Sequence, residues 1–211
     1  MEISYLGHSC FKIVGKKLTV IMDPFDPEKV GIKLGKYETD VVTVSHEHSD
    51  HNFTRAIKNE FLLLDSPGEF EVKEVEFTGV SASHGNFGDE ERGKITVFTI
   101  EIEGIKVCHL GDLGSDLNSE QLEEIDGVDI LLIPVGGVYT IDSKAAAKIV
   151  SQIEPKIVIP MHYKIGKMQE LAPLEEFIKE IGIEAVTQEK IKVTVRDLPE
   201  KLELVILKTL N

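Results

Sequence analysis

Six residues, His46-Glu47-His48-Ser49-Asp50-His51, constrain this chain more than any other stretch, because they crowd three imidazoles and a carboxylate directly behind the apolar run 41–44. In a random arrangement of the same residues the pattern His-x-His-x-Asp-His would arise with a probability on the order of a few in ten thousand, so coincidence accounts for it poorly. In an extended segment alternate side chains share a face, which lets His46 and His48 offer two nitrogens to one cation. Asp50 and His51 fall where the chain is expected to turn into a helix over 52–58, and their adjacency lets them face a second cation. Imidazole with carboxylate suits zinc, manganese, iron or nickel, and no cysteine stands close enough in sequence to make a structural thiolate site. The plain alternative is a solvated, histidine-rich loop that binds no metal.

The other histidines are His8, His84, His109 and His162. His84 follows the apolar run 77–82 and His162 follows 157–159, while Asp112 stands in Leu110-Gly111-Asp112-Leu113-Gly114, where glycines allow a tight turn and close backbone approach. Titratable residues thus recur at the ends of expected strands, where open α/β architectures place their ligands.

Together these residues resemble a known family. His46-x-His48-x-Asp50-His51 followed by His84, Asp112 and His162 is similar to the metallo-beta-lactamase superfamily. Tyr5-Leu6-Gly7-His8-Ser9, Ile21-Met22-Asp23-Pro24-Phe25, Pro134-Val135-Gly136-Gly137-Val138-Tyr139-Thr140 and Pro160-Met161-His162-Tyr163 resemble its branch of L-ascorbate-6-phosphate lactonase-like proteins and other metal-dependent hydrolases. The resemblance implies that His46, His48 and His84 hold one divalent metal, that Asp50, His51 and His162 hold a second, and that Asp112 bridges them, with zinc the first expectation and manganese, iron or nickel the others. It implies too that Asp23 orients a ligand histidine, although an aspartate ahead of Pro24 is also an ordinary turn residue. His8 would stand near the pocket, touching substrate or metal, or else be a packed and hydrogen-bonded residue. His109, in an apolar strand, is left outside the ligand set.

Two cations about 3.5–4 Å apart lower the pKa of a water between them, so the implied activity is a hydrolase using a hydroxide that bridges two metals. Asp50 and Asp112 are the candidate catalytic carboxylates. Tyr139, Thr140, Tyr163 and Lys164 are candidates to hold substrate, Lys164 by pairing with an anionic group, though a lysine is usually just exposed. The expected substrate is small and anionic, a phosphoester or a lactone; the alternative is a metal-binding sensor or scaffold without turnover. Flavodiiron relatives carry glutamate where His48 stands and append a flavin domain, so oxygen reduction is not expected.

Charge narrows the partners. With 37 acidic against 23 basic residues the net charge is -14, no Lys/Arg run is visible, and phosphate contacts dominate nucleic-acid affinity, so no nucleic-acid partner is expected. The longest apolar runs, such as 130–135, fall far short of the roughly twenty residues of a membrane span. The start Met1-Glu2-Ile3-Ser4 has neither the basic opening nor the apolar core of a secretory signal, which points to a cytoplasmic setting. Cys10 and Cys108 are too few for a disulfide framework and read as buried thiols. The resemblance allows a homo-oligomer, with no interface visible in the sequence.

The 211 residues fit one domain, 1–211, with no repeat or linker. Strands are expected within 2–22 and over 41–45, 61–64, 74–81, 95–101, 105–110, 129–134 and 156–159. Helices are expected over 119–124, from an Asp142 cap through 153, and over 173–181 ended near Gly182. Alternating strands and helices argue for an α/β fold, read as two β-rich halves each followed by helices. The resemblance sharpens this to a four-layer αββα sandwich with the metals at one edge.

Overall fold

In the computed structural model, which describes residues 1–85 and 93–210, fourteen strands form two sheets. The first sheet begins as an antiparallel meander, β1 (Glu2–Gly7), β2 (Cys10–Val14) and β3 (Thr19–Met22), and continues in parallel through β4 (Val41–Thr43) and β5 (Leu62–Leu64). The second sheet carries antiparallel β6 (Gly68–Val72), β7 (Val75–Ser83), β8 (Lys94–Ile102) and β9 (Ile105–His109). It continues in parallel through β10 (Ile130–Pro134) and β11 (Ile157–Met161). Three short strands close the chain: β12 (Ala185–Gln188), β13 (Ile191–Lys192) and β14 (Glu203–Leu207).

The sheets face each other because their central strands are apolar on both sides. Every residue of β10 and β11 is buried, and alternation splits them between two cores. Ile130, Leu132, Ile157 and Ile159 point inward with Tyr5, Phe11, Ile13, Val20, Phe77 and Phe98 to fill the space between the sheets. Leu131, Ile133 and Val158 point outward, against α2 (Ser119–Glu124), α3 (Ser143–Ile153) and α4 (Leu174–Ile181). The α3 helix starts where Asp142 accepts the Ala145 N–H at 2.8 Å, and α4 stops at Gly182 in the left-handed region, φ 67°. On the outer face of the first sheet the covering layer is thinner. A four-residue helix, α1 (Pro27–Val30), and irregular segments bring Phe25, Val30, Met168 and Leu171 onto Leu6, Cys10 and Ile21. The αββα order holds, with one outer layer built mostly of loops.

Two expectations need correction. No helix runs over 52–58: there is a single 3₁₀ turn, Thr54–Ala56, because the backbone there is committed elsewhere. Phe53 N–H donates to Pro24, Ala56 C=O accepts from Tyr37, and Lys58 N–H donates to Tyr37, which leaves no ladder of i→i−4 bonds. The division into two halves also fails at the end of the chain. The β14 and β12 strands extend the second sheet beyond β11, whereas β13 returns to pair with β1 in the first. Among the described residues no helix is long and apolar enough to cross a membrane. Cys10 and Cys108 are buried free thiols.

Candidate metal centre

Each candidate ligand leaves the C-terminal end of a strand, and these ends gather on one rim. His8 follows β1, Asp23 follows β3, the His46–His51 segment follows β4, His84 follows β7, Asp112 follows β9 and His162 follows β11. Glycines let the loops pass. A Cβ on Gly111, φ 53°, would lie 2.7 Å from Ser45 Cβ, and one on Gly136 would lie 2.1 Å from the His162 carbonyl oxygen. His8, Asp23 and His162 themselves take positive φ, 55°, 43° and 51°, a costly backbone for residues of this kind and one that clusters at functional sites.

Two groups of ligand atoms result. In the first, His46 Nε2 and His84 Nε2 lie 3.0 and 3.1 Å from His48 Nδ1. Four donors about 2.05 Å from a tetrahedral zinc stand about 3.3 Å apart, so three converging nitrogens at this spacing suit a shared ion. His46 and His48 are not on an extended strand as the alternation argument supposed, since β4 ends at Thr43 and the chain bends through 45–47. They converge by presenting different nitrogens. The second group holds His8, Asp50, His51 and His162. Asp112 stands between the groups: Oδ1 is 3.1 Å from His51 Nε2, and Oδ2 is 3.3 Å from His162 Nε2 and 3.8 Å from the Nε2 atoms of both His46 and His84.

Burial supplies the test of fit. Among the described residues, His51 Nε2, both ring nitrogens of His162, both of His8, and Asp112 Oδ1 are buried without a hydrogen-bond partner. Such groups cost about 1–3 kcal/mol each when left unpaired, so their concentration at one spot fits a site for cations. Protonation agrees. Burial and the neighbouring His51 push His46 down to about 3, and burial with His162 pushes His8 down to about 4, which leaves neutral imidazoles able to donate lone pairs. Burial alone would raise Asp112, but His162 and His51 outweigh it and hold the carboxyl well below the usual carboxylate range. Asp50 is likewise lowered, against its burial, by His8 and His51.

A polar scaffold behind the candidate ligands sets the tautomers of His51 and His46. Asp23 Oδ2 accepts from His51 Nδ1 at 2.7 Å and from Ser45 Oγ at 2.5 Å, while Asp23 Oδ1 accepts the Ser45 N–H at 2.8 Å. Ser45 Oγ in turn lies 2.9 Å from His46 Nδ1 and accepts its proton, so one carboxylate directs both His51 and His46 with Nε2 toward the centre. Asp23, expected to orient a ligand histidine, is the residue that accepts from His51 Nδ1. Ser45 went unnoticed in the sequence, where the only signal was a hydroxyl residue immediately before His46. His109, outside the ligand set, donates Nε2–H to Ser9 C=O at 2.8 Å and accepts the Gly111 N–H at 3.1 Å.

The four substrate candidates fare differently. Thr140 is buried and its hydroxyl donates to Ile141 C=O at 3.2 Å, turned into its own loop. Tyr163 packs beside Tyr5, ring centroids 6.2 Å apart, and joins both apolar cores. Tyr139 lies half-buried on the outer cluster of the first sheet, and Lys164 is exposed. The loop they flank does present Val138, 61% exposed and in the left-handed region at φ 56°.

Comparison with known proteins agrees with this geometry. Residues 2–162 match the model of a beta-lactamase superfamily domain. A UPF0173 metal-dependent hydrolase of Thermococcus onnurineus is 31% identical, over 88% of this chain and 94% of the relative. A crystal structure from Thermotoga maritima, assigned as a Zn-dependent hydrolase of the metallo-beta-lactamase superfamily, is 38% identical with a TM-score of 0.81, over 98% of this chain and 97% of that one. Igni18, a metallo hydrolase of Ignicoccus hospitalis, shares the fold at 22% identity and a TM-score of 0.63, over 86% of this chain and 90% of its own.

Proposed function

Because this chain belongs to the beta-lactamase superfamily and is a metal-dependent hydrolase, we propose that it cleaves a small anionic phosphoester or lactone with the help of two divalent ions. The observation that carries this reading is the position of Asp112, whose two oxygens reach histidines of both ligand groups. His46, His48 and His84 would hold one ion, Asp50, His51 and His162 the other, and Asp112 would touch both. Zinc suits the imidazole-rich first group, with manganese, iron or nickel as other fillings. When bound, such a pair supplies a water of lowered pKa and polarises the attacked carbonyl or phosphoryl oxygen.

The protein's own groups do the rest. Asp23 and Ser45 keep His51 and His46 in the tautomer that leaves Nε2 free. Asp112, nearly sealed from solvent and ionised, accepts hydrogen bonds rather than protons and so orients the water. Asp50, with 13% of its side chain exposed, is the more open of the two carboxylates and, ionised in the same way, accepts hydrogen bonds on the solvent side of the centre. The exposed His48 marks the open side by which substrate enters. We read residues 1–211 as one domain dedicated to this site.

A panel of lactones and phosphodiesters tests the proposal, using protein reconstituted with zinc, manganese, iron or nickel and the same protein after chelation. Turnover that vanishes with chelator and returns with metal is the expected result. Protein that binds metal yet turns over no member of either class would favour a sensor or scaffold instead.

A further inference from the structure

We infer that His8, in the turn between β1 and β2, is an additional ligand of the second ion, so that this position is held by three imidazoles rather than two. The inference rests on the two-ion reading above. His8 is fully buried and, among the described residues, neither ring nitrogen has a hydrogen-bond partner. Its backbone is firmly placed: the carbonyl accepts Tyr5 Oη–H at 2.8 Å and the His162 N–H at 2.9 Å, and φ is 55°. The left-handed turn therefore drives an imidazole into the centre where, among the described residues, only a long contact to Asp50 meets it, which is what a ligand position looks like before its ion is counted.

Spacing separates a ligand from a mere neighbour. His8 Nε2 lies 3.4 Å from Asp50 Oδ2, longer than the usual N–H···O bond of about 2.7–3.2 Å, yet suited to two donors each about 2.1 Å from one ion, which stand roughly 3.0–3.4 Å apart. The rings agree. The His8, His51 and His162 ring centroids stand 4.3, 5.2 and 5.9 Å apart, close enough for one ion, as are those of His46 and His51 at 4.3 Å, so it is the His8–Asp50 spacing that carries the argument. The first group, His46, His48 and His84, stands at 4.5, 4.7 and 4.9 Å. With Asp50 and Asp112 added, the second position has five protein donors against four at the first, so it favours an ion that accepts more than four ligands.

Histidine side-chain nitrogen resonances of metal-free, ¹⁵N-histidine-labelled protein, followed while zinc is added to two equivalents, test this directly. Six of the seven imidazoles should shift, with His109 alone unmoved. Two zinc ions taken up with five imidazoles shifted and His8 unmoved would overturn the inference while leaving the two-ion reading intact; uptake of a single zinc would overturn both. In parallel, His8→Asn and His8→Gly, both tolerant of positive φ, should leave one equivalent unchanged and weaken the other on the order of 100-fold in a chelator competition. Two unchanged equivalents in a folded variant would also overturn it.

Discussion

Asp23 Oδ2 lies 2.7 Å from His51 Nδ1 with neither side chain reaching solvent. A carboxylate in that place can only accept, so the ring proton sits on Nδ1 and Nε2 is left facing Asp112 Oδ1 at 3.1 Å. Asp23→Asn keeps the shape and tolerates the φ of 43°. It also puts an amide N–H where an acceptor is needed and drives His51 toward the tautomer that cannot ligate. Affinity for one of the two ions should fall about 10–100-fold in competition with a chelator, with the far-ultraviolet circular dichroism unchanged. Wild-type affinity in this variant would show that Asp23 merely packs.

Asp112 and His109, three residues apart, should fail in opposite ways. Asp112→Ala removes the group between the two ligand clusters and is expected to abolish hydrolysis in a folded protein. His109→Ala removes a ring packed near Phe11 and strands the Ser9 carbonyl and the Gly111 N–H, so it should cost about 2–4 kcal/mol of stability. Urea denaturation and activity measured on both variants check this; a destabilised Asp112→Ala beside an inactive but stable His109→Ala would reverse the assignment.

The metal-free protein should lose stability on mild acidification. His46 and His8 are lowered to about 3 and about 4, and burial lowers His84 and His109 as well. In the unfolded chain all four bind protons near pH 6.5, so between about pH 6.5 and 4 the unfolded state takes up more protons and stability falls with pH. His51 works the other way: burial lowers it, but Asp112 and Asp23 prevail and raise it, so its contribution is complete below about 6.5 and fades as pH rises through its folded pKa. The urea midpoint should therefore climb from pH 4 to 6.5 and not beyond. A midpoint flat across that acidic range would contradict the buried, neutral histidines.

Much of this was legible in the sequence because ligand chemistry leaves a dense local mark. His46 through His51 announced themselves by spacing, and His84, Asp112 and His162 by standing where apolar runs end. What stayed hidden depends on contacts between distant segments. Ser45 matters only because β3 brings Asp23 beside it; for His8, already a candidate, the choice between metal contact and packing depended on the first turn of the chain meeting the loop after β11. The helix expected over 52–58 gave way to backbone bonds with Pro24 and Tyr37, which no local pattern reveals. The strand Gly68–Val72 escaped because it is an edge strand with alternating exposed glutamates. Thr140 was nominated for a hydroxyl that the fold turns inward.

Activity should fall on small anionic substrates and not on polymeric nucleic acid. A net charge of -14 repels a long polyanion, whereas a small phosphate or carboxylate needs only the local field of the two ions, about four positive charges. Cleavage of single-stranded RNA or DNA at physiological salt, as fast as that of a small phosphodiester and lost in Asp112→Ala, would refute the electrostatic argument.

The number of metal ions each chain holds is the property on which the two-ion centre most directly depends. Elemental analysis of protein purified without chelator and reconstituted at neutral pH should find close to two divalent transition-metal ions per chain. One ion per chain would contradict the two-ion mechanism, and none would contradict the metal centre itself.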